Sequence, residues 1–277
     1  MAQGRRPASV VPRGAAPCFR AAMPPGILVA SKKSSILGLC HGPRPAVRYP
    51  AFIPSPPSCP ESSMYQPAAF TEDRPEVLHE LIRQSPLGLL VSAGSHGLMA
   101  DSIPFLVYPD EGETGVLRAH LARANPHVAA LRDASDCLVA FTGPQGYITP
   151  SWYAAKAEHG KVVPTWNYAA VHVQGPPRVI DDTAWLRNLV GDLTQSQEHG
   201  RATPWAVDDA PADFIDGMLR AIIGVEIPIR RIEGKFKMSQ NRAMPDRVGV
   251  VRGLRAERVP NEPLAALVAL RGDVPDA

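Results

Sequence analysis

The sequence predicts a mainly β fold with helical additions, of the α+β class, built on a small antiparallel barrel. Three observations predict it. Several short strand-like runs are joined by connections of hairpin length, and helices follow them. No repeating βαβ pattern and no glycine fingerprint occurs, which disfavours a doubly wound sheet. No internal repeat is visible, and no apolar run approaches the length of a membrane span.

The elements follow in order. Asp73 and Glu76 have capping-box spacing, and Pro75 suits a first helical turn. Val77, Leu78, Leu81 and Ile82 then form one apolar face, and Ser85-Pro86 stops the helix. Leu87–Ala93 reads as a buried strand, residues 94–97 as a tight turn and Leu98–Tyr108 as the return strand. In Gly115–Ala122, Leu117, Ala119 and Leu121 alternate with Arg118 and His120. Asn125-Pro126 has the form of an N-cap and a first-turn proline. Asp136–Gly143 is a strand, with Tyr147–Pro150 after it. In Trp166–Gln174, Trp166, Tyr168, Ala170 and His172 share one face, and Asn167, Ala169, Val171 and Val173 the other. Asp182 caps a helix running to about Glu198, and a second covers roughly Pro211–Ala221. Gly224–Ile232 alternates and then breaks register; short helices near Pro245–Leu254 and Pro263–Leu270 complete the chain.

Charge and composition divide the chain at Met64. Residues 1–63 hold 12 of the 30 prolines, eight Lys/Arg against one acid, and Cys18, Cys40 and Cys59. From Met64 onward the balance is 21 basic against 26 acidic residues, so the folded part is acidic overall. The proline density predicts a leader that does not fold. It has the look of an organellar transit peptide; the plainer reading is translation from a start codon upstream of the true one, because Met64 opens the first patterned segment. Cys137, inside an apolar run, reads as a buried thiol in a reducing cytoplasm. The expected division is a leader over 1–63, one domain over 64–254 and a helical tail over 255–277.

Three segments could carry chemistry. Arg118-Ala-His120-Leu-Ala-Arg123-Ala-Asn125-Pro126 brings basic side chains to a strand-to-helix junction, which suits a phosphate. Arg118 and Arg123 read equally as solvated surface charges. Gly234-Lys235-Phe-Lys237-Met-Ser239-Gln240-Asn-Arg242 packs three cations and three amide or hydroxyl groups into nine residues. In an extended segment Lys235, Lys237 and Ser239 aim one way, toward a polyanion, or form an exposed basic edge. His159-Gly-Lys-Val-Val-Pro-Thr-Trp166-Asn167-Tyr168 sets aromatics beside amides, which suits stacking on a flat heterocycle, or a core Trp and Tyr. HExxH, HxH and GxSxG spacings are absent.

Together these segments resemble the PaiB family of FMN-binding negative transcriptional regulators. The resemblance runs from about Met64 to Leu254. It is carried by Met64-Tyr-Gln-Pro-Ala-Ala-Phe70, Gly97–Phe105, Arg118–Pro126, Tyr147–Tyr153, Lys156–Tyr168, Ile223–Pro228 and Gly234–Arg242. Family members often carry His where this chain has Ser102.

The resemblance implies an FMN-binding split β-barrel, a homodimer with flavin at the subunit interface. It implies a ring lying against the backbone of Ala100–Phe105, at Ser102, Ile103 and Pro104. The Arg118–Asn125 junction would hold the phosphate, and Trp166, Asn167 and Arg242 would close the site. It also implies a cytoplasmic regulator of gene expression, with promoter DNA as a partner. A flavin-dependent oxidoreductase acting on a small molecule is the alternative in a different class, and a haem-binding split barrel is a third. No helix-turn-helix pattern stands out, and the acidic balance of the folded part does not favour a nucleic-acid surface.

Overall fold

The computed structural model describes residues 64–95, 97–259 and 261–275. The expectations for residues 1–63 lie outside them. The described chain forms two antiparallel sheets. The six-stranded sheet has the order β1 (Thr71–Glu72), β10 (Arg231–Lys237), β7 (Thr165–Gly175), β6 (Cys137–Ile148), β2 (Leu87–Gly94), β3 (Gly97–Pro104). The four-stranded sheet has the order β4 (Leu106–Tyr108), β5 (Val116–Ala122), β9 (Ile222–Pro228), β8 (Arg178–Ile180). The chain passes between the sheets four times: from β3 into β4 across Phe105, from β5 to β6 between Ala122 and Cys137, from β7 into β8 across Pro176-Pro177, and from β9 into β10 across Ile229-Arg230. These crossings make the split barrel.

Its interior is apolar because the inward residues of each strand are. Phe105, Leu117, Ala119, Leu121, Val139, Phe141, Ala169, Val171, Val173, Val225 and Ile227 are buried in one cluster. Phe105 and Phe141 meet edge to face at 5.8 Å. At Gly175 a Cβ would stand 2.1 Å from the carbonyl oxygen of Pro228, so only glycine lets β7 turn toward the second sheet there.

Helices close the barrel. α1 (Pro75–Gln84) sets Leu78, Leu81 and Ile82 into the core, α2 (His127–Asp133) adds Val128 and Leu131, and α6 (Met244–Ala256) and α7 (Glu262–Arg271) add Val250, Leu254, Leu264 and Val268. α3 (Ala154–Glu158) leads back toward β7. α4 (Thr183–Glu198) and α5 (Ala212–Arg220) form a separate small cluster with Leu186, Ile215 and Leu219. α4 lays Trp185 over Gly224 of β9, where a Cβ would be 2.2 Å from the ring.

Several expectations change in detail. Asp73 does not cap α1; the N-cap position is Arg74, whose amide donates to Glu72 Oε1 at 3.0 Å. Asp182 does cap α4, accepting from Trp185 N at 2.7 Å. The expected Gly224–Ile232 run is two strands, β9 and β10, with the register break marking the turn between them. The two segments expected around residue 145 are one strand, β6, carrying a bulge between Thr142 and Gln145.

The register of the six-stranded sheet assigns its two faces. Ser102, Leu89, Ala140, His172 and Glu233 stand opposite one another across β3, β2, β6, β7 and β10 and so share a face. On that face lie Leu87, Leu98, Tyr147 and Trp166, all large, apolar and exposed. The helices pack on the opposite face: Leu78 against Gly234, Leu81 against Gly143 and Ala169, and Leu254 and Leu264 against Gly146.

Candidate functional site

The structure divides the sequence-predicted site residues into three groups. Ser102, Ile103 and Pro104 end β3, which pairs with β2 alone and so presents one open edge. Ser102 and Pro104 point outward and are exposed, while Ile103 points inward against the core. Proline at this place suits an edge strand, since it has no N–H to offer a further neighbour.

The second group is the Arg118–Asn125 junction. Here the cations already have partners. Arg118 donates from Nε to Glu226 at 2.9 Å, grips Glu111 through both terminal nitrogens, and lies 4.4 Å over the Tyr108 ring. Arg123 forms a two-pronged pair with Asp181, both contacts at 2.7 Å, and donates to the carbonyls of Arg220 and Ile222. These residues fasten β5 to its neighbours. His120 stands beside them, its Nδ1 buried without a partner, and burial pushes its pKa down. Asn125 bridges two elements: its Nδ2 donates to Asp101 at 3.1 Å, and its Oδ1 accepts from His127 N at 2.9 Å. The N-cap position of α2, a helix of only seven residues, is Pro126 and not Asn125 as the sequence suggests; Asn125 Oδ1 meets the first helical amide from one residue further back.

The third group lies where β7 begins and β10 ends. Lys235 donates to the Tyr65 carbonyl at 2.8 Å and lies near the rings of Tyr65 and Tyr168, at 5.3 and 5.6 Å. Lys237 donates to Thr165 Oγ1 at 2.6 Å. Trp166 is 49 % exposed, donates to Gln145 Oε1 at 3.1 Å, and meets Tyr147 edge to face at 6.3 Å. The guanidinium of Arg242 lies 4.5 Å over the Tyr153 ring. Among the described residues no carboxylate stands within salt-bridge distance of Lys235, Lys237 or Arg242.

Neighbours in sequence part company in this group. Trp166 is outward, whereas Asn167 is fully buried on the helical side and donates to Ser239 Oγ at 2.9 Å. Ser239 does not continue the line of Lys235 and Lys237, because β10 has ended and its φ is +65°. Gln240 folds back to accept from Met238 N at 2.7 Å and to donate to the Phe236 carbonyl. Asn167, Ser239 and Gln240 therefore brace the turn that presents Arg242. Tyr65 and Tyr147 belong to the outward group but were missed in the sequence. Pairing of Tyr147 with Trp166 across a bulged strand is the signal that would have found Tyr147.

The donor set of this third group suits FMN: cations without carboxylates for a phosphate, and half-exposed aromatics for a flat ring. The clefts of about 700 Å³ beside α4 and about 830 Å³ between α1 and α7 are lined by none of the fourteen predicted residues. Among the described residues no group of His, Cys, Asp and Glu could hold a metal ion, and no helix is long and apolar enough to cross a membrane.

A split barrel with an open strand edge and, among the described residues, cations that have no carboxylate partner defines a flavin-binding protein of the split-barrel class. Residues 64–231 match the family described as "Putative FMN-binding domain", and the chain belongs to that family. FMN is the cofactor this membership assigns. The chain is 37 % identical over 227 residues to uncharacterized protein AN0679 of Emericella nidulans, covering 69 % of this chain and 90 % of that protein. It is 29 % identical over 198 residues to protease synthase and sporulation protein PAI 2 of Bacillus subtilis, covering 72 % of this chain and 92 % of that one. Among solved structures it is similar to the FAD and heme binding protein from Mycobacterium smegmatis, with a TM-score of 0.46 and 19 % identity over 60 % of this chain and 73 % of that one.

Proposed function

We propose that this protein is a homodimeric, FMN-binding negative regulator of gene expression of the PaiB type. The observation that carries the flavin site is the contrast between two sets of cations. Arg118 and Arg123 are neutralised by carboxylates of this chain, whereas Lys235, Lys237 and Arg242 have no carboxylate partner among the described residues. A phosphate is then held by the Gly234–Arg242 segment, and Trp166 and Tyr147 flank the ring. Bound FMN supplies a ring that exchanges electrons with a partner molecule or reports its redox state.

The second copy enters through the outward face of the six-stranded sheet. β3 and β7 are three strand steps apart, about 14 Å at the usual strand spacing. One chain therefore does not bring Ser102–Pro104 to Trp166 and Lys237. Two copies pairing outer face to outer face about a two-fold axis set β3 of one beside β7 and β10 of the other. The same pairing covers Leu87, Leu89 and Leu98, which are otherwise in water.

What supports regulation is kinship with PAI 2, whose name ties it to protease synthesis and sporulation. Direct contact with promoter DNA and a cytoplasmic location belong to the same proposal. Fluorescence titration with FMN tests the site. Arg242→Ala weakens binding roughly 10- to 150-fold, the loss of one charge-assisted hydrogen bond. Arg123→Ala leaves the affinity unchanged. The reverse pattern would move the phosphate to the β5–α2 junction. Binding to a promoter duplex, measured with and without FMN across a salt series, separates a regulator from an enzyme.

A further inference from the structure

We propose that His172 makes the pairing of two copies sensitive to pH, so that a dimer formed near neutrality separates in mild acid. The proposal rests on the dimer reading above and adds the group that regulates it.

His172 stands in the middle of the outward face, on the third strand of six. Opposite it are Ala140 on β6 and Glu233 on β10. Its diagonal neighbours are Leu138 and Thr142 on β6 and Arg231 and Lys235 on β10, and Ala170 and Gln174 flank it on its own strand. The titratable and charged groups facing the ring are thus Glu233, Arg231 and Lys235, all from β10. Arg231 donates to Glu233 at 2.9 Å, so the acid is already engaged.

The ring is unusual for a surface position. Its Nδ1 is buried and has no hydrogen-bond partner. Burial pushes its pKa below the ordinary value, and Glu233 opposes that only in part. His120 and His127 lie away from this face, on β5 of the other sheet and in the buried bond to Ser92.

A second copy would take away the ring's remaining water. An imidazolium carries two N–H donors, and the one at Nδ1 has no acceptor here. Association therefore favours the neutral ring, and the pKa is lower in the pair than in the single chain. The sign follows: pairing is at full strength above the single chain's pKa and weakens as pH falls below it. Two rings per dimer release two protons, so the dissociation constant rises by up to about 100-fold per pH unit in that range.

Sedimentation velocity at pH 7.5 and 5.5, on wild type and His172→Gln, tests this. The expected result is a wild-type dimer at pH 7.5 that is weaker at pH 5.5, with His172→Gln of equal strength at both. His172→Leu repeats the test should the glutamine variant not fold. Far-UV circular dichroism at each pH confirms that dissociation is not unfolding. A wild-type dimer of equal strength at both values overturns the inference and leaves the dimer reading standing, and so does equal acid weakening in the variants. A wild-type monomer at pH 7.5 overturns the dimer reading itself.

Discussion

Nε2 of His127 lies 2.8 Å from Oγ of Ser92, at a place where both residues are buried. The other ring nitrogen, Nδ1, is 2.8 Å from Asp101 Oδ2. The order Ser–His–Asp invites a hydrolytic reading, but its polarity is reversed. The acid is the outer end, with 36 % of its side chain exposed, and the serine is sealed inside the barrel. A nucleophile must reach substrate, and this hydroxyl does not. The relay instead ties β2, β3 and α2 together. Ser92→Ala leaves a buried ring nitrogen unpaired and costs about 1–3 kcal/mol. Urea denaturation measures it; an unchanged midpoint would show the bond to be replaceable.

Acid stability should depend on Glu72. Its carboxylate is buried between Arg74 and Arg271, joining β1 to the last helix, and these cations hold its pKa down from 4.5 to about 2. The depressed value means that the pair stabilises the fold fully above about pH 4.5. That contribution is lost as pH falls toward 2. Thermal melts between these values should show a steep decline in wild type. Glu72→Gln should be less stable at neutral pH and shallower in its acid dependence.

Gly249 should not tolerate a methyl group. A Cβ there would stand 1.9 Å from the carbonyl oxygen of Trp152, a backbone atom that cannot step aside. Gly249→Ala forces α6 away from the Pro150–Trp152 turn and costs on the order of 1–3 kcal/mol. Loss of midpoint in chemical denaturation checks it, and Gly191→Ala, with nothing nearby to meet, is the control.

Much of the barrel was legible because its signals are local. Asp182 caps the helix it precedes, and the alternation of Trp166–Gln174 correctly sorts β7 into two faces. The turn between β9 and β10 was hidden because buried Ile229 sits inside it and sustains an apolar pattern. The site was less legible, for a physical reason. Whether Arg118 or Arg123 is available to a ligand depends on Glu226 and Asp181, which are 108 and 58 residues away in sequence. Ser239 in a left-handed conformation has no signature of the kind glycine gives. His172 was placed on the correct face by alternation, but its unpaired nitrogen is a fact of packing.

Because strands of both sheets bury their side chains in one apolar core, neither sheet can come apart while the other stays whole. Amide hydrogens of both sheets should accordingly exchange with solvent only through one shared, global opening, at matching rates. The α4–α5 pair holds its own small apolar cluster, apart from that core. It is free to open first, as a separate unit of lower stability, and to do so without disturbing the face on which two copies would meet.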